Sequence, residues 1–182
     1  VQNVEGSLVS LNDRINNHVE SSLLAIYTSA RFSERLVDEW GAYYDRNRTQ
    51  PIGNFAGYLI PKTEGNAGRI DLLVQFLNEH GIISQQIIEN QKSVQGYEFG
   101  VNQKRSVKPR TGDLVISSFQ THSSILDVLF DPDPVLTDSL TYDITTWSLP
   151  FAYGLRTFGL DAPLYGSTYA SESVLPIAHE AF

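Results

Sequence analysis

Residues 55–88 read Phe55-Ala56-Gly57-Tyr58-Leu59-Ile60-Pro61 through a polar loop to Ala67, then a helical stretch to His80-Gly81, then Ile82-Ile83-Ser84-Gln85-Gln86-Ile87-Ile88. The first run is short, apolar and closed by Pro61, as a buried strand should be. Ala67, Ile70, Leu73, Val74 and Leu77 recur at three and four residues, so they mark one face of a helix. Gly81 stands where a left-handed C-terminal cap is expected, and the β-branched run Ile82–Ile88 reads as the next strand. Strand, helix and strand joined by short connections make a βαβ unit, which normally sets two parallel strands in one sheet. The expected fold is therefore α/β, with an open and mostly parallel sheet.

Upstream, Leu8, Leu11, Ile15, Val19, Leu23, Ile26 and Ala30 recur at helical spacing, with no Pro and no Gly between Gly6 and Gly41. A long amphipathic helix, or two in tandem, is expected from Leu8 to about Tyr44, with an apolar stripe that must pack on something. Asp45–Asn54 is polar and contains Pro51 and Gly53, the composition of a linker. The domain expectation is a helical connector over residues 1–50, as the tail of an upstream catalytic domain, and an α/β accessory domain over 51–182.

Downstream, Tyr97–Val101 and Lys104–Pro109 suggest short strands or a hairpin. They hold the basic cluster Lys104, Arg105, Lys108 and Arg110, most simply a solvated hairpin on an acidic domain, with an anion site as the alternative. Gly112 and Asp113 turn the chain into a third core strand, Leu114–Ser117. Thr121, Ser123 and Ser124 are suitable N-caps for a helix carrying Ile125, Leu126, Val128 and Leu129. Asp131-Pro132-Asp133-Pro134 ends that helix, because proline cannot continue it. A further helix is expected near Ser148, with Pro150 in its first turn.

The chain has 182 residues, 41% of them hydrophobic and 19% charged, which describes an ordinary folded protein. Its net charge of −8 argues against nucleic acid, since phosphate binding needs a basic face. Cysteine is absent, which excludes disulfides, thiol catalysis and thiolate metal sites. Methionine is absent too, so Val1 is expected to be an internal boundary or a processed terminus. No run approaches the roughly 20 apolar residues of a membrane span.

The segment Tyr142–Gly154, YDITTWSLPFAYG, sets Asp143, Trp147, Pro150 and Gly154 among aromatics at fixed spacing. It resembles a run near the C-terminus of large bacterial proteins of the zinc carboxypeptidase family (carboxypeptidase A-like metallopeptidases), downstream of their catalytic domain. The likeness continues through Tyr58-Leu59-Ile60-Pro61, His80-Gly81-Ile82, Gly112-Asp113-Leu114-Val115-Ile116 and Leu129-Phe130. It implies a flavodoxin-like or class I glutamine amidotransferase-like fold. It also implies a parent protein that is periplasmic or secreted, with zinc held in its upstream peptidase domain. Amidotransferase chemistry itself needs a cysteine nucleophile, which this chain lacks.

No zinc site is legible here. The family motif His-x-x-Glu follows none of His18, His80, His122 and His179, and His-Glu-x-x-His is absent. Each histidine is expected to be a surface or helix-terminal residue, so the catalytic, cofactor and metal sets of this chain are all expected to be empty. Asp131 and Asp133 read as a turn between prolines, and Asp143 as a cap or an amide acceptor. Trp147 and Phe151 read as core aromatics on one helix face, with Tyr142 and Tyr153 nearby. Gly-x-Ser-x-Gly, Gly-x-Gly-x-x-Gly and P-loop patterns do not occur, and Asn47-Arg48-Thr49 matches a glycosylation sequon by chance.

The function expected from the resemblance is a non-catalytic accessory domain that packs on, or shapes access to, a peptidase domain of the same polypeptide. A homodimer through the N-terminal helix is a further expected partnership. The alternative is a stand-alone α/β module binding a sugar or a peptide. In a parallel sheet the ligand would sit beyond the carboxyl ends of the strands. Lys62, Thr63, Glu64, Asn90, Gln120 and Thr121 would be at hand there.

Overall fold

Gly57, Tyr58, Leu59 and Ile60 are all buried, and they form the strand around which the sheet is built. A computed structural model describes Gly6, residues 8–134 and residues 148–168. Its elements are α1 (Leu11–Arg31), α2 (Ser33–Thr49), β1 (Gly57–Ile60), α3 (Ala67–Glu79), β2 (Gln85–Gln86), β3 (Val94–Glu98), β4 (Gln103–Val107), β5 (Leu114–Ser117), α4 (Ser123–Phe130), α5 (Leu149–Ala152), β6 (Phe158–Leu160) and β7 (Ser167–Thr168). The chain divides into two compact units, Val1–Tyr43 and Tyr44–Phe182.

The described part of the first unit is helical. Ser10 caps α1 in a reciprocal capping box: its hydroxyl accepts from the Asp13 amide, and the Asp13 carboxylate accepts from the Ser10 amide. Hydrogen bonds Phe32 N–H to Thr28 and Leu36 N–H to Phe32 carry the helix past the irregular Phe32, so α2 follows α1 directly, as a tandem pair. No residue of α1 is buried: Leu23 is 62% exposed and Ile26 68%.

In the second unit, the described strands form one seven-stranded sheet in the order β4-β3-β6-β1-β5-β2-β7, and every neighbouring pair is antiparallel. This corrects the expectation of a mostly parallel sheet, and with it the flavodoxin-like and glutamine amidotransferase-like folds. The chain does run β1-α3-β2, and β1 and β2 point the same way. They are not neighbours, because β5 lies between them and runs antiparallel to both.

The physical reason lies in burial. A central strand is covered on both faces and needs apolar residues at successive positions. Leu114-Val115-Ile116 meets that need and sits fully buried beside Tyr58-Leu59-Ile60. The expected strand Ile82–Ile88 pairs only at Gln85 and Gln86, which are half-buried, while Ile83 and Ile88 stay exposed.

On one face, Tyr58, Ile60, Leu114 and Ile116 pack with Ile70, Leu73, Val74 and Leu77 of α3 and with Leu126 and Phe130 of α4. Each such fully buried aliphatic side chain contributes about 1.5–3 kcal/mol. The other face carries a smaller cluster of Leu59, Phe158 and Leu160, with Val94, Val107 and Leu164 against it.

Several local expectations match. Gly81, at φ +68°, closes α3 with its N–H on the Asn78 carbonyl, and Ile82 N–H reaches the Leu77 carbonyl, the paired bonds of a Schellman cap. The hairpin is β3–β4, turned by Gly100 and Asn102 at positive φ. The segment read as a linker is still helical through Thr49. Thr121, Ser123 and Ser124 do not cap α4: His122 holds that position without a side-chain bond. The Ser123 and Ser124 hydroxyls instead donate to the backbone and side-chain oxygens of Asn47 at 3.3 and 3.2 Å.

Candidate functional site

An antiparallel sheet scatters the residues that a parallel one would gather. The loops after β1 and β2 share one edge, so Lys62, Thr63, Glu64 and Asn90 lie toward it. The loop after β5 leaves from the opposite edge, which separates Gln120 and Thr121 from the other four.

Those two residues are structural. Gln120 accepts from the Ile83 amide at 2.7 Å and donates to the Ser117 carbonyl at 2.6 Å, tying the chain before β2 to the end of β5. The Thr121 carbonyl accepts from Asn47 Nδ2 at 2.9 Å. Asn47 is fully buried, so a glycan on the folded domain has no access to this sequon nitrogen.

At the first edge, one carboxylate organises the loops. Asp113 is buried, and its two oxygens accept from the backbone amides of Lys62 and Arg110, each at 2.8 Å. The β1 loop is tightened further by Asn66, which accepts from the Thr63 amide at 2.8 Å and donates to the Pro61 carbonyl at 3.0 Å. Gln91 N–H to the Pro109 carbonyl and Thr111 N–H to Asn90 Oδ1 then bind the segments before β3 and after β4 to each other.

The result is a cleft of about 310 Å³, lined by Lys62, Thr63, Ser106, Lys108, Arg110 and Arg156 around Asp113, with Pro61, Val107 and Phe158 as its apolar part. Four cations, set against Asp113 and the Glu98 that pairs with Arg156, leave it basic on a chain of net charge −8. The expected basic cluster is therefore split. Lys104 pairs with Asp161 at 2.6 Å and Arg105 with Glu98 at 3.4 Å, while Lys108 and Arg110 turn to the cleft. Lys62 and Arg156 join them from positions far away in sequence, for which no local signal exists.

Arg156 is held on two sides. Its Nε donates to Glu98 Oε1 at 2.6 Å, and its guanidinium lies 4.9 Å from the centre of the Phe158 ring. The Arg156 hydrogen bond, with Arg105 adding to it, outweighs burial and holds the Glu98 carboxyl below its ordinary value. Glu98 thus remains ionised and shared between two guanidiniums.

Elsewhere the candidate chemistry resolves into structure. His80 ends α3, its Nδ1 2.8 Å from the Phe76 carbonyl and its ring stacked on Phe76. His122 meets Tyr44 edge-on, and His18 is exposed on α1. Among the described residues, no three His, Asp or Glu side chains come together as a metal site. Asp131 Oδ1 accepts from the Asp133 amide at 3.0 Å, a turn bond of the expected kind. Burial, then Asp127 and Asp131, pushes the Tyr58 hydroxyl upward; burial, then Asp131, does the same to the Asp127 carboxyl. Phe151 is half-exposed beside Phe99, and Tyr153 packs on the core. His179, Tyr142, Asp143 and Trp147 lie outside the described residues.

No helix among the described residues is long and apolar enough to cross a membrane. Comparison of the chain with protein-family models, with curated proteins and with solved structures finds no match.

Proposed function

We propose that this chain is a non-catalytic accessory part of a zinc carboxypeptidase-like protein of the bacterial periplasm or exterior, and that it docks on the peptidase domain of the same polypeptide. The observation that carries the docking is the apolar stripe of α1. Leu11, Ile15, Val19, Leu23 and Ile26 are more than half exposed, on a helix with no buried residue. A contiguous apolar face of this kind marks an interaction surface. The family assignment is supported by the sequence resemblance alone. Zinc and the water it activates then belong to the peptidase domain, and no side chain of this chain enters the hydrolytic step.

The coding sequence upstream of Val1 is the first test. A frame that runs back through His-x-x-Glu and a later His supports the assignment, and one that lacks those ligands overturns it. The two parts, produced separately, are then expected to form a complex that Leu23→Glu with Ile26→Glu weakens at least tenfold. A homodimer of this chain through the same face, lost in the same variant, with no complex formed, would overturn docking on the peptidase.

A further inference from the structure

From the cleft beside Asp113 we infer that the α/β unit binds a small polyanion, a molecule carrying two or more phosphate or carboxylate groups. This is independent of the proposed docking, because it rests on residues of the second unit alone. Lys62, Lys108, Arg110 and Arg156 come from three separate places in the chain: the loop after β1, the return from β4 to β5, and the approach to β6. Asp113 in the lining and Glu98, paired with Arg156, offset part of the mutual repulsion of these cations. Among the described residues, Lys108 and Arg110 have no ion pair, whereas the neighbouring cations Lys104 and Arg105 do.

The donor set defines the ligand. Guanidinium groups bind planar oxyanions through two parallel N–H bonds, lysines add point charge, and the Thr63 and Ser106 hydroxyls add neutral donors. A volume near 310 Å³ lies at the small end of ligand sites and suits a compact anion rather than a polymer. The Phe158 ring under Arg156, and Glu98 behind it, keep that guanidinium in place before a ligand arrives. Part of the ordering cost is thereby met in the free protein.

The test is an amide chemical-shift titration of the intact chain with sodium pyrophosphate and, separately, with sodium citrate, each at constant ionic strength against sodium chloride. Saturable shifts at Lys62, Thr63, Lys108 and Arg110 with at least one of the two are expected, and the tighter one names the acidic group. Lys108→Ala and Arg110→Ala should each weaken binding at least tenfold, as loss of one charge-assisted contact does. Lys104→Ala, whose ion pair with Asp161 lies outside the cleft, should leave it unchanged. Arg110→Gln, which keeps the length of the side chain, guards against an effect of misfolding and should weaken binding as Arg110→Ala does. Shifts no larger than those of chloride with both anions, or equal losses in the Lys104 and Lys108 variants, would overturn the site.

Discussion

Asp113 holds the backbone of Lys62 from 51 residues away, its Oδ1 accepting that amide at 2.8 Å while Oδ2 accepts Arg110 N–H at the same distance. One buried carboxylate thus sets the spacing of two loops that carry cations. Asp113→Ala leaves two amides without their acceptor, at an expected cost of about 2–4 kcal/mol. Asp113→Asn retains one acceptor and should cost less. Urea unfolding of the two variants measures this, and a loss below about 0.5 kcal/mol for the alanine variant would show that water replaces the carboxylate freely.

Asn47 makes a similar connection at the other end of the domain. Its amide donates to the Thr121 carbonyl, and its oxygens take the hydroxyls of Ser123 and Ser124. Asn47→Ala should destabilise the α/β unit by about 1–3 kcal/mol, since the part-buried Thr121 carbonyl and Ser124 hydroxyl lose their partner while Ser123 keeps its bond to the backbone. Equilibrium unfolding followed by tryptophan-independent circular dichroism reads the change. The same burial predicts no N-glycan at Asn47 on folded protein, which intact-mass measurement after treatment with an oligosaccharyltransferase would check.

Acid sensitivity is expected from Glu98. Its carboxyl is held below the ordinary glutamate value of about 4.3 by Arg156 and then Arg105. A group depressed in the folded state contributes stability above its unfolded pKa, and that contribution is lost as pH falls through the folded value. Stability should therefore decline below about pH 4, and Glu98→Gln should flatten that acid limb while lowering stability near neutrality. Melting temperatures of both proteins across this range decide it: parallel curves would remove Glu98 from the acid response.

Gly159 lies in β6 between Tyr58 and Tyr97 in the ladder, with the Phe55 ring pressed against it where a Cβ would stand. Gly159→Ala should cost about 1–3 kcal/mol, as overpacking of a core does. Phe55→Ala removes the obstacle, so the double variant should be more stable than the sum of the two single losses predicts. Strict additivity in thermal unfolding would show that the ring moves aside without cost.

The local elements were legible because local physics makes them. Apolar spacing over Leu11–Ile26 and Ile70–Leu77, Gly81 at a helix end and Pro150 in a first turn all act within a few residues. The break at Phe32 and the polar helical turn Asp45–Thr49 were harder to read. The turn is fixed by contacts of Asn47 with residues more than 70 positions later. Lys62 and Arg156 could not be joined to Lys108 and Arg110 from sequence, because nothing local records which loops will meet.

From the sequence alone came the alternation of helices and strands, the acidic and cysteine-free character, the apolar stripe of α1 and the absence of a His-x-x-Glu motif. The direction of the sheet and the basic cleft were decided only in three dimensions. A helix between two strands fixes that they point the same way, but not that they are neighbours. Leu114-Val115-Ile116 takes the place between β1 and β2 because both faces there are buried, and Gln85-Gln86 cannot fill a doubly covered position beside Tyr58-Leu59-Ile60. That choice turns the sheet antiparallel and sends the loop after β5 to the far edge. It also leaves Asp113 to draw the Lys62 and Arg110 loops together at the near one.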